Sequence, residues 1–274
     1  MKRTTAGQLG REAVEIMERG AYLAPSGRDV SIALPLADAK ARTRDFPPDL
    51  GGLTRGEARH ETVFEVTGET TMGAARRLAA ERPLALNFAS AKNPGGGFLG
   101  GAIAQEECLA RSSGLYACIA SSRMYAHHRA LGDPMYTSWV VYSPDVPVFR
   151  EDEGALLEEP YLASFLTCPA VNAGVVRERR AEAEAAIARA MDERVNRVLA
   201  VAAHARHTTL VLGAWGCGVF RNDADTVARL FEEALRGDHR GVFARVVFAI
   251  LDRSPDGRFI GPFRRRFAPA RAGG

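Results

Sequence analysis

At 274 residues, 46% hydrophobic and 25% charged, the chain has an ordinary globular composition and ample length to bury a core. Its net charge of only +3 gives no global electrostatic case for binding nucleic acid, and no direct nucleic-acid contact is expected. No run approaches the roughly 18 apolar residues of a membrane span, so no membrane contact is expected either.

The first twenty residues carry scattered charges and lack the apolar stretch of a secretory signal. Cys108, Cys118, Cys168 and Cys217 form neither a CxxC pair nor a tight framework, which suits reduced thiols in a cytoplasmic protein. Residues 7–22 place Leu9, Ala13, Val14, Met17 and Tyr22 at helical spacing, predicting a surface helix of an N-terminal extension over residues 1–60. Residues 24–60, rich in Pro, Gly and Asp, read as irregular apart from a short strand at 30–34, and wrap over the main body.

A core over residues 61–274 follows, alternating strands and helices. Strands are expected at 61–66, 83–88, 137–142, 163–171, 208–212 and 242–251. Helices are expected at 71–80, capped by Thr70 or Thr71, then at 102–119, 177–205 and 223–236. The strands are apolar without alternation, which predicts a sheet covered by helices on both faces. Ligands of such sheets bind at the loops beyond the strand C-termini.

Two glycine-rich loops fall in that position. The first runs Asn93-Pro94-Gly95-Gly96-Gly97-Phe98-Leu99-Gly100-Gly101 and the second Gly213-Ala214-Trp215-Gly216-Cys217-Gly218-Val219-Phe220. Successive glycines let backbone N–H groups converge, and a following helix N-terminus adds partial positive charge, a recipe for holding phosphate. Either loop alone is as readily a tight turn; the pair points to a diphosphate held between them. Gly95, Gly97 and Gly100 satisfy GxGxxG, but no acid near residue 120 completes a dinucleotide fold, and no Gly-Lys-Ser/Thr follows either cluster as a Walker loop requires.

Gln105-Glu106-Glu107 follows the first loop at the start of a helix. First-turn acids are commonly just solvated, yet here they adjoin a phosphate cradle, where a purely structural design would avoid anions. Adjacent helical residues diverge by about 100°, so Glu106 and Glu107 cannot flank a bond from opposite sides; in a glycosidase one carboxyl must act as acid and then as base.

Gly95-Gly96-Gly97, seven residues, then Gln105-Glu106-Glu107 matches the signature of poly(ADP-ribose) glycohydrolases. Asn87-Phe88-Ala89-Ser90, Pro94 and the second loop resemble their bacterial-type branch, with weaker likeness over roughly residues 60–252. The resemblance implies an α/β macrodomain-like mixed sheet flanked by helices on both faces, with an N-terminal helical extension. It implies hydrolysis of the ribose–ribose bonds of ADP-ribose polymers from the chain end, releasing ADP-ribose, with no cofactor and no metal. Glu107 would be the catalytic acid/base, and Glu106 would hydrogen-bond ribose hydroxyls. Gly95, Gly96, Gly97, Gly216, Cys217, Gly218 and Val219 would cradle the diphosphate, and Phe220 would pack against the terminal ADP-ribose. Gln105 and Asn93 join the substrate-binding set, with Ser90 a second candidate beside Asn93 for the distal ribose. The partners implied are poly(ADP-ribose) or an ADP-ribosylated protein. Two other functions suit the same cradles: a non-catalytic ADP-ribose reader, against which the intact acid pair speaks, and a hydrolase of mono-ADP-ribosylated targets.

Outside these loops, His127-His128 reads as a surface pair, and Arg264-Arg265-Arg266 as a solvated tail. His204 and His207 lack partners at metal-ligand spacing.

Overall fold

A computed structural model describes residues 1–268 apart from Arg55 and Ala181; the end of the expected core, 269–274, lies outside the described residues. The N-terminal helix α1 (Arg3–Arg19) starts before residue 7 and stops at Gly20, whose φ of +69° gives a left-handed C-cap closed by its N–H on the Ile16 carbonyl. Tyr22 therefore lies beyond the helix, in a small hairpin of β1 (Ala21–Leu23) and β2 (Asp29–Ser31). The expected strand at 30–34 is thus cut short, and helix α2 (Ala33–Arg42) occupies what had read as irregular chain. Pro35 misled that reading: it sits in the first helical turn, where a missing N–H costs nothing.

The main sheet has the order β3-β6-β7-β5-β8-β9-β4. Its parallel part comprises β4 (Val63–Thr67), β5 (Leu84–Phe88), β7 (Leu156–Cys168), β8 (Thr209–Leu212) and β9 (Arg245–Ala249). β6 (Val140–Arg150) is antiparallel to β7, and β3 (Arg44–Phe46) is antiparallel to β6. A strand of the expected extension thus forms one edge of the sheet. β6 runs on to Arg150, past the expected end at 142, and β7 begins at Leu156, ahead of the expected 163, because each supplies the other's hydrogen bonds as a long hairpin; β6 starts after 137 and β7 stops before 171.

Successive residues of the central strands enter opposite cores, as a period of two requires. Leu84, Leu86, Leu210, Leu212, Val246 and Phe248 face one side, under α7 (Ala173–Arg179), α8 (Glu184–His204), α9 (Ala224–Arg236) and α10 (Ile260–Phe267). Ala85, Val211 and Val247 face the other, under α1, α2, α3 (Thr71–Arg77), α4 (Gln105–Ser112), α5 (Leu115–Ile119) and α6 (Arg123–Leu131). The sheet is covered on both faces, in a mixed α/β architecture with an N-terminal helix.

Two long expected helices are each divided. Ser113 adopts an extended φ of −146° and bridges to Val148, which separates α4 from α5; the extended Arg180, φ −141°, ends α7 before α8 begins. The triple arginine is no solvated tail. It lies on α10, where Arg265 and Arg266 pair with Asp225 at 3.0 and 2.8 Å and Arg266 reaches Glu232 at 3.2 Å. Among the described residues no helix is long and apolar enough to cross a membrane.

Candidate active site

β5 and β8 are parallel neighbours, so the two glycine loops leave the same end of the sheet side by side. The strands pair only through Leu84–Leu210 and Ala85–Val211, then part, while β5 stays paired with β7 as far as Phe88. Gln105 meets the backbone groups near that split. Its Oε1 accepts from the Phe88 N–H at 2.9 Å, and its Nε2 donates to the Leu86 carbonyl at 2.8 Å and to Thr71 Oγ1 at 3.1 Å. The amide that the motif placed among substrate-binding groups is thus engaged by the protein, and it anchors the first turn of α4 on β5.

That anchor sets the two carboxylates that follow, both of them buried. Glu106, 3% exposed, accepts from the Ser90 N–H at 2.6 Å and from Asn87 Nδ2 at 3.4 Å. Burial pushes its carboxyl up to about 8; the Ser90 N–H opposes the shift and the neighbouring charge of Glu107 adds to it. Glu107, 9% exposed, accepts the Gly97 N–H at 2.9 Å. Gly96 lies directly over the pair. A Cβ there would stand 2.3 Å from Glu107 Oε1 and 3.1 Å from Glu106 Oε2, on a backbone with φ +60° that favours glycine. The first loop is therefore packed onto the acids. The Gly96 N–H bonds the Asn93 carbonyl at 3.0 Å, while the exposed Asn93 holds its own N–H on Ser90 Oγ at 3.2 Å.

α1 seats the far side of this loop. A Cβ on Gly10 would meet the Phe98 carbonyl at 2.7 Å, one on Gly101 the Arg3 carbonyl at 2.1 Å, and Arg3 Nε donates to the Gly100 carbonyl at 3.1 Å.

The second loop is built differently. Trp215 is fully buried, its Nε1 on the Cys168 carbonyl at 3.2 Å, so it belongs to the core. Cys217 is buried as well, and burial raises its thiol to about 12, which leaves a small neutral side chain whose contribution at the loop is its backbone. Gly216, φ +75°, is wedged so that a Cβ would lie 2.5 Å from Ala170 Cβ and 2.6 Å from Asn222 Nδ2. Asn222 closes the turn from behind, its Nδ2 donating to the Val171 carbonyl at 2.7 Å. Gly218 has open space around it and Val219 is 83% exposed. Among the described residues no group accepts the N–H of Gly218, Val219 or Phe220, so three successive donors are left open, as a loop that receives an anion requires.

Against this geometry, residues 10–151 match the family model described as microbial-type PARG, catalytic domain. The chain belongs to the microbial-type PARG family. A poly(ADP-ribose) glycohydrolase from Thermomonospora curvata, bound to the inhibitor ADP-HPD, is 48% identical over 96% of this chain and all of its own, with a TM-score of 0.90. The Deinococcus radiodurans enzyme in complex with ADP-ribose is 48% identical over 85% of this chain and 97% of its own, with a TM-score of 0.81. A search of curated proteins found no match.

Parts of this PARG fold that border the loops went unseen in the sequence. His128 is fully buried and not a surface residue, although its neighbour His127 is exposed; one helical step of about 100° on α6 carries it into the core. Burial lowers its imidazole to about 4, leaving it neutral, and Nε2 accepts the Thr137 N–H at 3.2 Å. Nδ1 then carries the proton and faces the Ala91 backbone without a well-aligned hydrogen bond. Arg129, next on α6, donates to the Lys92 carbonyl at 2.5 Å, so one helix grips the chain between β5 and the first glycine loop. The segment after β7 joins in: Asn172 donates its N–H to the Pro134 carbonyl, and Gly174 donates to the Phe220 carbonyl, both at 3.0 Å. No spacing rule connects Tyr136, Asn172 and Phe220, because only the sheet order brings them together.

Proposed function

We propose that this chain is a poly(ADP-ribose) glycohydrolase that cleaves the ribose–ribose O-glycosidic bond of ADP-ribose polymers from the chain end, releasing ADP-ribose. The observation that carries the reading is the pair of buried carboxylates lying against Gly96, beside a second loop whose N–H groups at 218–220 have no acceptor among the described residues. In this reading the second loop receives the diphosphate through Gly216, Gly218, Val219 and Phe220, while the first positions the acids. Glu107, as general acid, delivers a proton to the departing 2′-oxygen as the anomeric C–O bond breaks. Its carboxylate then takes a proton from the water that adds to the anomeric carbon, which restores the acid. Glu106, protonated up to about 8, offers a hydroxyl donor to ribose oxygens. Gly95 and Gly97 supply the bend and the N–H that hold this arrangement.

The seating of α1 on Gly100 and Gly101 walls one side of the first loop, which suits attack at a chain end. Four free cysteines suit a reducing cytoplasm.

Glu107→Gln tests the assignment. Polymer turnover is expected to fall at least about a thousandfold, while ADP-ribose affinity stays within about threefold, the loss being confined to the transition state. Near-normal turnover by this variant removes Glu107 from its role. Release of ADP-ribose only from mono-modified protein would favour the mono-ADP-ribose hydrolase, and no release from either substrate would leave a reader.

A further inference from the structure

Tyr136 stands out among the described residues as the one aromatic side chain on a left-handed backbone, with φ +53°. Such a conformation is costly for a bulky residue and persists only where its surroundings impose it. Here they do so from several sides. The buried guanidinium of Arg194, on α8, clamps both flanking carbonyls, Met135 through Nη2 and Thr137 through Nε at 3.1 Å. His128 Nε2 takes the Thr137 N–H at 3.2 Å and lies 2.8 Å from its hydroxyl, and the Tyr136 N–H closes on the Asp133 carbonyl at 3.1 Å. Among the described residues Arg194 makes no ion pair, and its burial is itself unfavourable, so two unfavourable features meet at one short loop.

The conformation aims the half-buried Tyr136 ring between the two arms of the site. Its centroid lies 6.1 Å from that of Phe220, at the end of the second glycine loop, and 5.5 Å from that of His128, whose other edge faces Ala91 ahead of the first. Packing alone would be served by any apolar residue on a relaxed backbone.

We propose that Tyr136 is a substrate-positioning residue: its ring, fixed by Arg194, backs Phe220 and completes an aromatic wall against which the terminal ADP-ribose unit rests. This rests on the ADP-ribose reading of the same site. The wall acts in binding, so Tyr136 affects affinity and KM and leaves the proton transfers at Glu107 alone.

Tyr136→Gly separates this from a packing role, because glycine adopts φ +53° without strain while removing the ring. Its melting temperature is expected within a few degrees of wild type, with ADP-ribose Kd and polymer KM raised about tenfold and kcat within about threefold, the scale of one aromatic contact. Tyr136→Phe is expected to restore affinity. Arg194→Met, which frees the loop, is expected to weaken ADP-ribose binding in the same direction. A Tyr136→Gly protein that binds ADP-ribose as wild type overturns the proposal, whether or not it is less stable. If wild-type protein binds ADP-ribose yet releases none from polymer, the glycohydrolase reading fails, and Tyr136 is then judged on ADP-ribose affinity alone.

Discussion

The two glycine loops look alike in the sequence and do different work in the fold. The first turns inward: the Gly97 N–H is held by Glu107, the Gly96 N–H by Asn93, and Gly96 leaves no room for a Cβ against the carboxylates. The second is open, with the Trp215 and Cys217 side chains buried and the N–H groups of Gly218, Val219 and Phe220 without an acceptor among the described residues. Glycine is needed in one loop for close approach to acids and in the other for the turn that exposes donors. Richness in glycine alone therefore does not identify a phosphate cradle; what the N–H groups already bond does.

The sharpest test of the contrast is Gly96→Ala. Its Cβ would displace Glu107 Oε1 from 2.3 Å, and a shift of about an ångström in a reacting group costs on the order of a hundredfold in kcat. A variant with unchanged kcat would mean that the first loop does not set the acids.

Next comes the pH dependence of stability. Burial lifts the folded Glu106 carboxyl to about 8, above its ordinary value of 4.5, so between these pH values the native state holds a proton that the unfolded chain has released. Stability should therefore fall as pH rises from about 4.5 to about 8, with a slope of at most about 1.4 kcal/mol per pH unit from this group. Glu106→Gln should flatten that part of the curve in thermal melts. An unchanged slope would show that the carboxyl is ionised in the folded protein.

Smaller effects separate residues within the second loop. Gly216→Ala, at φ +75° with a Cβ 2.5 Å from Ala170, is expected to lose about 1–3 kcal/mol in denaturant unfolding. Gly218→Ala meets open space and is expected to change stability by no more than about 0.5 kcal/mol. Equal losses at both positions would contradict an outward-facing second half of the loop.

Much of this was readable in the chain itself. Short, unalternating apolar runs such as Leu84–Phe88 and Thr209–Leu212 announce buried parallel strands, because both faces of such a strand meet helices. The Thr70 cap, whose Oγ1 takes the Gly73 N–H at 2.9 Å, was legible because capping is local chemistry. The spacing of Gly95–Gly97 to Gln105–Glu107 likewise located the acid pair, since one loop and one helical turn connect them.

What stayed hidden depends on neighbours distant in sequence. Gln105 shares the motif with the acids, yet only the parting of β5 from β8 shows that its amide serves as an anchor. The break at Ser113 arises from its bridge to Val148, and α10 is held by charges on α9. His128, Arg194 and Tyr136 read as an ordinary histidine, a helical arginine and a loop tyrosine until the sheet order sets them around Phe220. Local propensity and spacing alone determined the inner strands β5 and β8, the Thr70 cap and the acid pair. Tertiary structure decided which N–H groups were left open and which side chains hold the site, because a hydrogen bond already made within the fold is invisible in a pattern of residue types.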